Sequence, residues 1–280
     1  MTRGTGPDLQ SLLNARFGDA PRIADETPTS DLICSMAAHA SCRKFLDKPV
    51  PQPALEMLCA TALASPTKSD LQQRDIIALQ APDVKQRLVD LVAGQAWVAG
   101  APTILVFCGN NRRQRLLHDW KEIPFANDHL DAFFNAVGDA AIALGAFVTA
   151  ADSIGLRCCP ISAVRNEAEA VSKLLGLPNY VFPFAGLAVG YPAQAPEISK
   201  RLPLKVTCHV DRYNEASLLD EVAGYDADRA LTQPYEKQRL TDSLGHSDAY
   251  SWSEDKARQY SEPERNDFGR YVRAQGFKLD

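Results

Sequence analysis

The segment LDAFFNAVGDAAIALGAFVTAADSIGL predicts a helix over about residues 129–153 that is rich in Ala and apolar on nearly every side. Such a helix must be buried, because none of its faces prefers water. In a chain that is 45% hydrophobic and 23% charged, with a mean hydropathy of −0.22, that places it at the centre of a large core or at a subunit interface. Its many small residues would let a neighbouring helix come close. No apolar run approaches the roughly 20 residues that a membrane-spanning helix needs. The opening stretch MTRGTGPDLQSLLNARFGDAPR lacks the continuous apolar core of a signal peptide. A cytoplasmic protein with no membrane partner is the expectation.

Charge narrows the choice of partner. Thirty Lys and Arg against 35 Asp and Glu give a net charge of −5 with no long basic block, which argues against an electrostatically driven nucleic-acid binder. The cysteines at 34, 42, 59, 108, 158, 159 and 208 contain no C-x-x-C, and no His is spaced to complete a zinc site. No metal centre is expected, and reduced, structural thiols are the better reading, the adjacent Cys158 and Cys159 included.

Residues 1–29 mix Gly, Pro, Asp and Thr around one short helical patch, SLLNARF, and read as an extension outside the core. From Asp31 a helix carries Leu32, Ile33, Met36 and Ala37 on one face and stops near His39 or Ser41. CRKFLDKPVPQP is extended, since each proline biases its predecessor away from the α region, and a helix follows over about 54–64. DIIALQ and TILVFC read as strands with a helix between them over about 82–92; the second strand is apolar enough to be covered on both faces. Residues 109–128 are polar and read as a long irregular loop. In it Trp120 and Phe125 either anchor the loop or pack over a bound ring. LRCCPI ends a strand, a helix covers about 167–175, and YVFPFAGLAVGYP is a strand closed by a Gly-x-Pro turn. The polar last 65 or so residues read as arms and exposed helices. Helices interleaved with a few apolar strands point to an α/β or α+β sandwich.

Several enzyme signatures are absent: G-x-G-x-x-G, a Walker lysine loop, G-x-S-x-G and H-E-x-x-H. What remains are polar residues at element boundaries: His39, Ser41 and Arg43; Thr67 and Ser69; Gln95; and Ser199, Lys200 and Arg201. Two basic clusters far apart in sequence could bracket one phosphate-bearing ligand, because Arg and Lys neutralise phosphate while hydroxyls and backbone donors orient it. Taken singly, each has a plainer reading. Arg43 could be a surface charge, His39 a helix-end residue and Gln95 a turn cap.

The stretch AAHASCRKFLDKPVPQPALEMLCATALASPTKSDLQ resembles the opening of the nitroreductase family of flavoproteins, with His, then Ser-x-Arg-x-Phe, a Pro-containing extension and a Ser-rich turn. LVAGQAWVAGAPTILVFC, the segment from SIGLRCCPISAVRN to EISKRLP, and YSWSEDKARQY resemble the NADPH nitroreductase and flavin reductase branch in order and spacing, over roughly residues 31–275. The resemblance implies an α+β fold, with a nitroreductase-like central antiparallel-type mixed sheet flanked by helices, in an intertwined homodimer binding one FMN per subunit. It divides the chain into an extension at 1–29, an FMN-binding core at 30–214 and a C-terminal extension at 215–280 that wraps the partner. His39, Ser41 and Arg43 would hold the FMN phosphate and ribityl chain, Thr67 and Gln95 the ring or ribityl, and Pro160, Ile161 and Ser162 would supply contacts near the ring. Arg201 would close on the phosphate. No catalytic side chain is implied, because the hydride chemistry belongs to the cofactor.

The sequence departs from the family's pattern at Ser162 and Ala163, where Gly-Gly is usual, at Ser199, where Lys is frequent, and in lacking evident NADPH-phosphate arginines in LTDSLGHSDAYSWS. The leading expectation is an FMN-dependent oxidoreductase passing hydride from NADPH or NADH to a nitroaromatic, quinone or flavin by ping-pong turnover. Two alternatives stay open: a specialised flavoenzyme acting on one metabolite, and a non-catalytic flavin-binding protein.

Overall fold

The computed structural model describes residues 8–18, 20–24, 26–92 and 95–280. Residues 1–7 of the expected N-terminal extension, and the Ala-Gly pair before Gln95, lie outside the described residues. In chain order the elements are α1 (Leu9–Phe17), α2 (Asp31–Ala37), α3 (Gln52–Leu63), β1 (Arg74–Ala78), α4 (Pro82–Leu91), β2 (Thr103–Asn110), α5 (Arg112–Lys121), α6 (Leu130–Ser153), β3 (Arg157–Ile161), α7 (Ala168–Leu175), β4 (Val181–Gly190), α8 (Leu204–Thr207), α9 (Leu218–Thr232), α10 (Thr241–Leu244), α11 (Trp252–Gln259) and α12 (Phe268–Ala274). They fall into two compact units. Of the described residues, one holds those within 40–196 and 265–280, the other those within 8–39 and 197–264.

The first, the sheet unit, is built on four antiparallel strands in the order β1-β2-β4-β3. Side chains alternate across β2, so Ile104, Val106 and Cys108 face α4 and α7 with Leu88, Val92 and Val171, whereas Leu105 and Phe107 face α3 and α6 with Leu58, Ala62, Ala143 and Phe147. Both faces are covered, as the continuous apolar run of β2 predicts. The last turn of the chain returns to this unit, where Tyr271, Val272 and Phe277 pack with Phe182 and Ala136.

Helix α6 differs from the sequence expectation in its apolar length, while its one-sided burial within the chain leaves the expected subunit interface open. It is 24 residues long with a window of mean hydropathy 1.5, long and apolar enough by composition to cross a membrane, which corrects the reading that no run approaches that length. Burial is also one-sided: Ala136, Ala140, Ala143 and Phe147 are fully buried, but Leu130, Phe134 and Ile142 are 48%, 67% and 43% exposed. In its middle sits buried Asp139, whose carboxylate accepts hydrogen bonds from Thr67 Oγ1 (2.6 Å), the Lys68 backbone N–H (2.8 Å) and the Gln73 backbone N–H (2.8 Å). Those bonds hold a turn in which Ser69, Asp70 and Gln72 all take positive φ, a region costly for residues with a Cβ.

The expected loop at 109–128 is instead the end of β2 followed by α5. The apolar residues of its helix, Leu116, Leu117 and Trp120, are exposed, so no buried stripe marks it. It is tied down by Arg115, which bonds Asp128 at 2.5 Å and lies 3.7 Å over Tyr180 and 4.6 Å over Phe125. Phe125 thus anchors the segment that follows α5, while Trp120 is exposed beside Lys121.

The helical unit contains α1, α2 and α8 to α11. Its interior is polar: buried Asp255 accepts from Arg239 Nε (3.1 Å), Tyr250 OH (2.9 Å) and Lys256 Nζ (2.7 Å), and buried Arg258 bonds Glu254 and the carbonyls of Arg239 and Gly245. The N-terminal segment, read from sequence as lying outside any core, contributes buried Leu12, Arg16 and Ala20. The boundary drawn at residue 215 falls within this unit.

Candidate functional site

Two prolines after Leu46 keep the chain extended, and residues 42–46 run beside the ends of β3 and β4. Cys42 N–H donates to Cys158 O (3.0 Å), Leu46 N–H to Tyr191 O (2.9 Å), and Ala193 N–H to Lys44 O (2.9 Å). Gly190 is required at this corner, since a Cβ there would lie 2.5 Å from Pro102 Cγ and 2.9 Å from Phe45 Cδ1. Period-two alternation buries Cys42 and leaves Ser41 and Arg43 on the outward side.

There the Arg43 guanidinium sits 5.8 Å over the Trp97 ring, and Trp97 Nε1–H donates to Gln95 Oε1 at 2.8 Å. An indole N–H can only donate. It therefore fixes which end of the Gln95 amide faces inward and leaves the Nε2 donors for another partner. Against the larger effect of burial on the thiol of Cys159, the Arg43 charge and Ser41 both act to draw its pKa down. Ser41 thus lies beside the Cys159-Pro160 corner. Pro160 and Ser162 are exposed and Ile161 is buried. Gln95 and Ala163 line a cleft of about 450 Å³ together with Asn166 and Glu167. Arg265 reaches this region from the C-terminal segment, bonding Asn166 Oδ1 at 2.7 Å and Ser162 Oγ at 3.4 Å. The sheet unit thus brings Ser41, Arg43, Gln95 and the 160–162 segment together.

The three thiols nearby are not nucleophiles. Burial pushes Cys42, Cys158 and Cys159 above the usual thiol range, Cys158 furthest, so they stay protonated at neutral pH. All seven cysteines are free. Among the described residues no group of three or more His, Cys, Asp or Glu side chains could hold a metal ion.

Thr67 lies apart from that cluster in its contacts: its hydroxyl donates to Asp139 and accepts from the Gln72 N–H at 2.8 Å. His39 and Arg201 belong to the helical unit, where they share a neighbour. Arg16 donates to the His39 carbonyl, and the Arg201 N–H donates to Arg16 O at 2.8 Å. Lys200 is ion-paired with Asp228. Arg201 instead lines a cleft of about 560 Å³ with Phe17, Tyr225, Arg229 and Trp252.

Arg43 and Arg201 have no carboxylate partner among the described residues; the Arg201 guanidinium bonds only the carbonyls of Ser199 and Lys200. Outward guanidiniums left uncompensated in this way suit a phosphate, which offers the matching anionic oxygens. Each guanidinium, taken within its own unit, therefore fits the phosphate of a cofactor such as FMN. Sequence reasoning missed Arg16, Trp97 and Asp139, each of which acts on a predicted residue through a contact that no local pattern announces.

Residues 36–191 match the nitroreductase family, and residues 199–280 match that family's C-terminal domain. The FMN reductase [NAD(P)H] of Bacillus subtilis is 32% identical over 256 residues, covering 90% of this chain and 99% of that one. The oxygen-insensitive NADPH nitroreductase of Salmonella typhimurium is 35% identical over 202 residues, 71% of this chain and 80% of its own. Among solved structures, that of B. megaterium NfrA2 superposes with a TM-score of 0.81 at 29% identity, over 90% of this chain and 100% of the other.

Proposed function

The chain belongs to the nitroreductase family, and from that we propose an FMN-dependent oxidoreductase that takes hydride from NADPH or NADH and delivers it to a nitroaromatic, quinone or flavin. The names of its relatives, an FMN reductase [NAD(P)H] and an NADPH nitroreductase, support the reaction class. The single observation in the molecule that carries the reading is the Arg43–Trp97–Gln95 arrangement, which sets a phosphate-seeking cation beside an amide whose oxygen is already engaged by Trp97.

His39, Ser41, Arg43, Thr67, Gln95, Pro160, Ile161, Ser162 and Arg201 are the proposed FMN-holding residues. Bound FMN supplies the hydride chemistry, accepting from the nicotinamide and giving to the oxidant. Arg43 and Arg201 neutralise the phosphate, and the Ser41 hydroxyl orients it. The Nε2 donors of Gln95 would hydrogen-bond acceptor atoms of the ring and would favour negative charge there. Because Trp97 holds the amide, this donor needs no reorganisation when the charge arrives. Thr67 acts through the turn it anchors rather than through its engaged hydroxyl. A ping-pong order follows from one site serving both substrates.

The same reading makes the protein a homodimer. The exposed apolar residues Leu130, Phe134 and Ile142 of α6 support it, and of the expected wrapping segment 215–280 the part before residue 265 is proposed to reach the partner, since residues 265–280 pack on this chain's own sheet unit. Seven free thiols suit a reducing cytoplasm.

An anaerobic absorbance scan of the protein reconstituted with FMN, before and after NADPH and separately NADH, tests the function. Bleaching of the bound flavin is expected and identifies the reductant. A protein that ignores FMN, or bound flavin that neither nucleotide bleaches, would sink the reading. R43A is expected to weaken FMN binding by about 1.5–3 kcal/mol, the range for a charge-assisted hydrogen bond; unchanged affinity removes Arg43 from the site.

A further inference from the structure

The N-terminal helix α1 precedes the part of the chain that matches the family, which begins at residue 36, yet it carries the one arginine buried by the residues that flank His39 and Arg201. Arg16 is 6% exposed. Its Nη2 donates to the carbonyls of Ala37 (2.9 Å) and His39, and its Nη1 donates to the carbonyl of Ser199 (2.8 Å). Its own carbonyl accepts from the Arg201 N–H. One side chain thus ties the end of α2 to the segment at Ser199, which lies 183 positions from Arg16 itself.

This arrangement does two things. The planar fork of an arginine holds several acceptors in one geometry, which neither a lysine nor a neutral side chain reproduces. The guanidinium is also buried against carbonyls alone, with no carboxylate partner among the described residues, so its charge stays uncompensated beside that of Arg201. Burial, and then the Arg201 charge, both pull the Arg16 pKa below the ordinary arginine value. Two neighbouring cations that raise one another's cost are a prepared place for an anion.

We infer that Arg16 is a positioning residue for the flavin phosphate, holding the backbones of His39 and Arg201 in register and adding positive potential beneath them. The inference rests on the flavin reading above. It gives the N-terminal segment a part in cofactor binding, and it places in α1 a determinant that the family match does not contain.

Full-length protein titrated with FMN and with riboflavin, which lacks the phosphate, separates the possibilities. Wild type is expected to bind FMN more tightly than riboflavin. In R16Q the FMN Kd is expected to rise about tenfold or more, on the scale of a lost charged hydrogen bond, with riboflavin affinity unchanged. R16K keeps the charge without the fork, is expected to lose less, and decides the matter if R16Q does not fold. An unchanged FMN Kd in R16K and R16Q, or equal losses for FMN and riboflavin, overturns the inference, because general loosening of the unit would weaken both ligands. A wild type that binds neither flavin, or binds both equally, overturns the phosphate assignment itself before any variant is made.

Discussion

The sheet unit buries a large apolar set, with Phe107, Phe147, Phe182, Ile104 and Leu105 fully covered and a minority of polar side chains such as Gln73, Arg74 and Asp139 among them, while the few buried side chains of the helical unit divide evenly between apolar (Leu12, Ala20 and Tyr225) and charged (Arg16, Asp255 and Arg258). The first is stabilised mainly by apolar area removed from water, a force without direction that tolerates many arrangements of similar residues. The second depends on directed bonds. Asp255 alone gathers Arg239, Tyr250 and Lys256, and Asp226 caps the start of α11 through the Ser253 N–H at 3.0 Å. A polar interior fails differently from an apolar one: removing one partner leaves the others buried and unsatisfied.

The largest expected effect lies in the apolar unit. Phe107 is fully buried and meets Phe147 edge-on, with ring centroids 5.9 Å apart; F107A is expected to cost about 3–5 kcal/mol in urea unfolding, the range for emptying an aromatic site. A loss under 1 kcal/mol would mean that the core closes over the gap.

Next comes D255N, expected to cost about 2–4 kcal/mol because it leaves cations without their counter-charge. This variant also carries a pH signature. Burial raises the Asp255 carboxyl, but hydrogen bonds from Lys256 and Tyr250 and the charges of Lys256 and Arg239 outweigh it, and the net position is below the ordinary carboxylate value. A carboxyl lowered in the folded state contributes stability that is fully present above its unfolded value, about 4, and is lost as the pH falls through the folded value. Stability of the wild type should therefore drop more steeply than that of D255N below about pH 4. Parallel pH profiles of the urea midpoint would show that Asp255 is not the titrating anchor.

The smallest effect tests whether a polar device also operates inside the sheet unit. Ser69 is held at φ 48° by a turn bonded to Asp139; S69G relieves the left-handed strain and is expected to stabilise by about 0.5 kcal/mol after the entropy cost of glycine. A destabilised S69G would mean that the Ser69 side chain contributes more than its backbone strain costs.

The contrast between the units also explains what could be read in advance. Strands β1, β2, β3 and β4 and helices α3, α4, α6 and α7 stand near where apolar pattern and proline placement put them, because those elements declare their buried faces in their own residues. Helix α5 did not, since RRQRLLHDWK is held by the cation of Arg115 against two rings rather than by an apolar stripe. The interior of the helical unit was equally hidden: a run of Asp, Glu, Lys and Arg looks the same whether it faces water or closes a network. Of the candidate site residues, Ser41 and Arg43 were legible as polar residues at an element boundary, and their shared outward face came from the structure. The engagement of Thr67 by Asp139 was not, nor was the clamp of Gln95 by Trp97.

The sequence by itself determined the order and type of the main elements, the two-sided burial of β2 and the family, all of which depend on residues close together or on ordered blocks. Only the tertiary structure decided that α6 keeps an exposed apolar face, that Thr67 spends its hydroxyl on a carboxylate 72 positions away, and that Arg16 reaches Ser199 across 183. The reason is physical. Burial of apolar surface leaves a periodic record in the chain, whereas a buried polar group accepts any partner of the right chemistry, and which one it meets is set when distant segments close on each other.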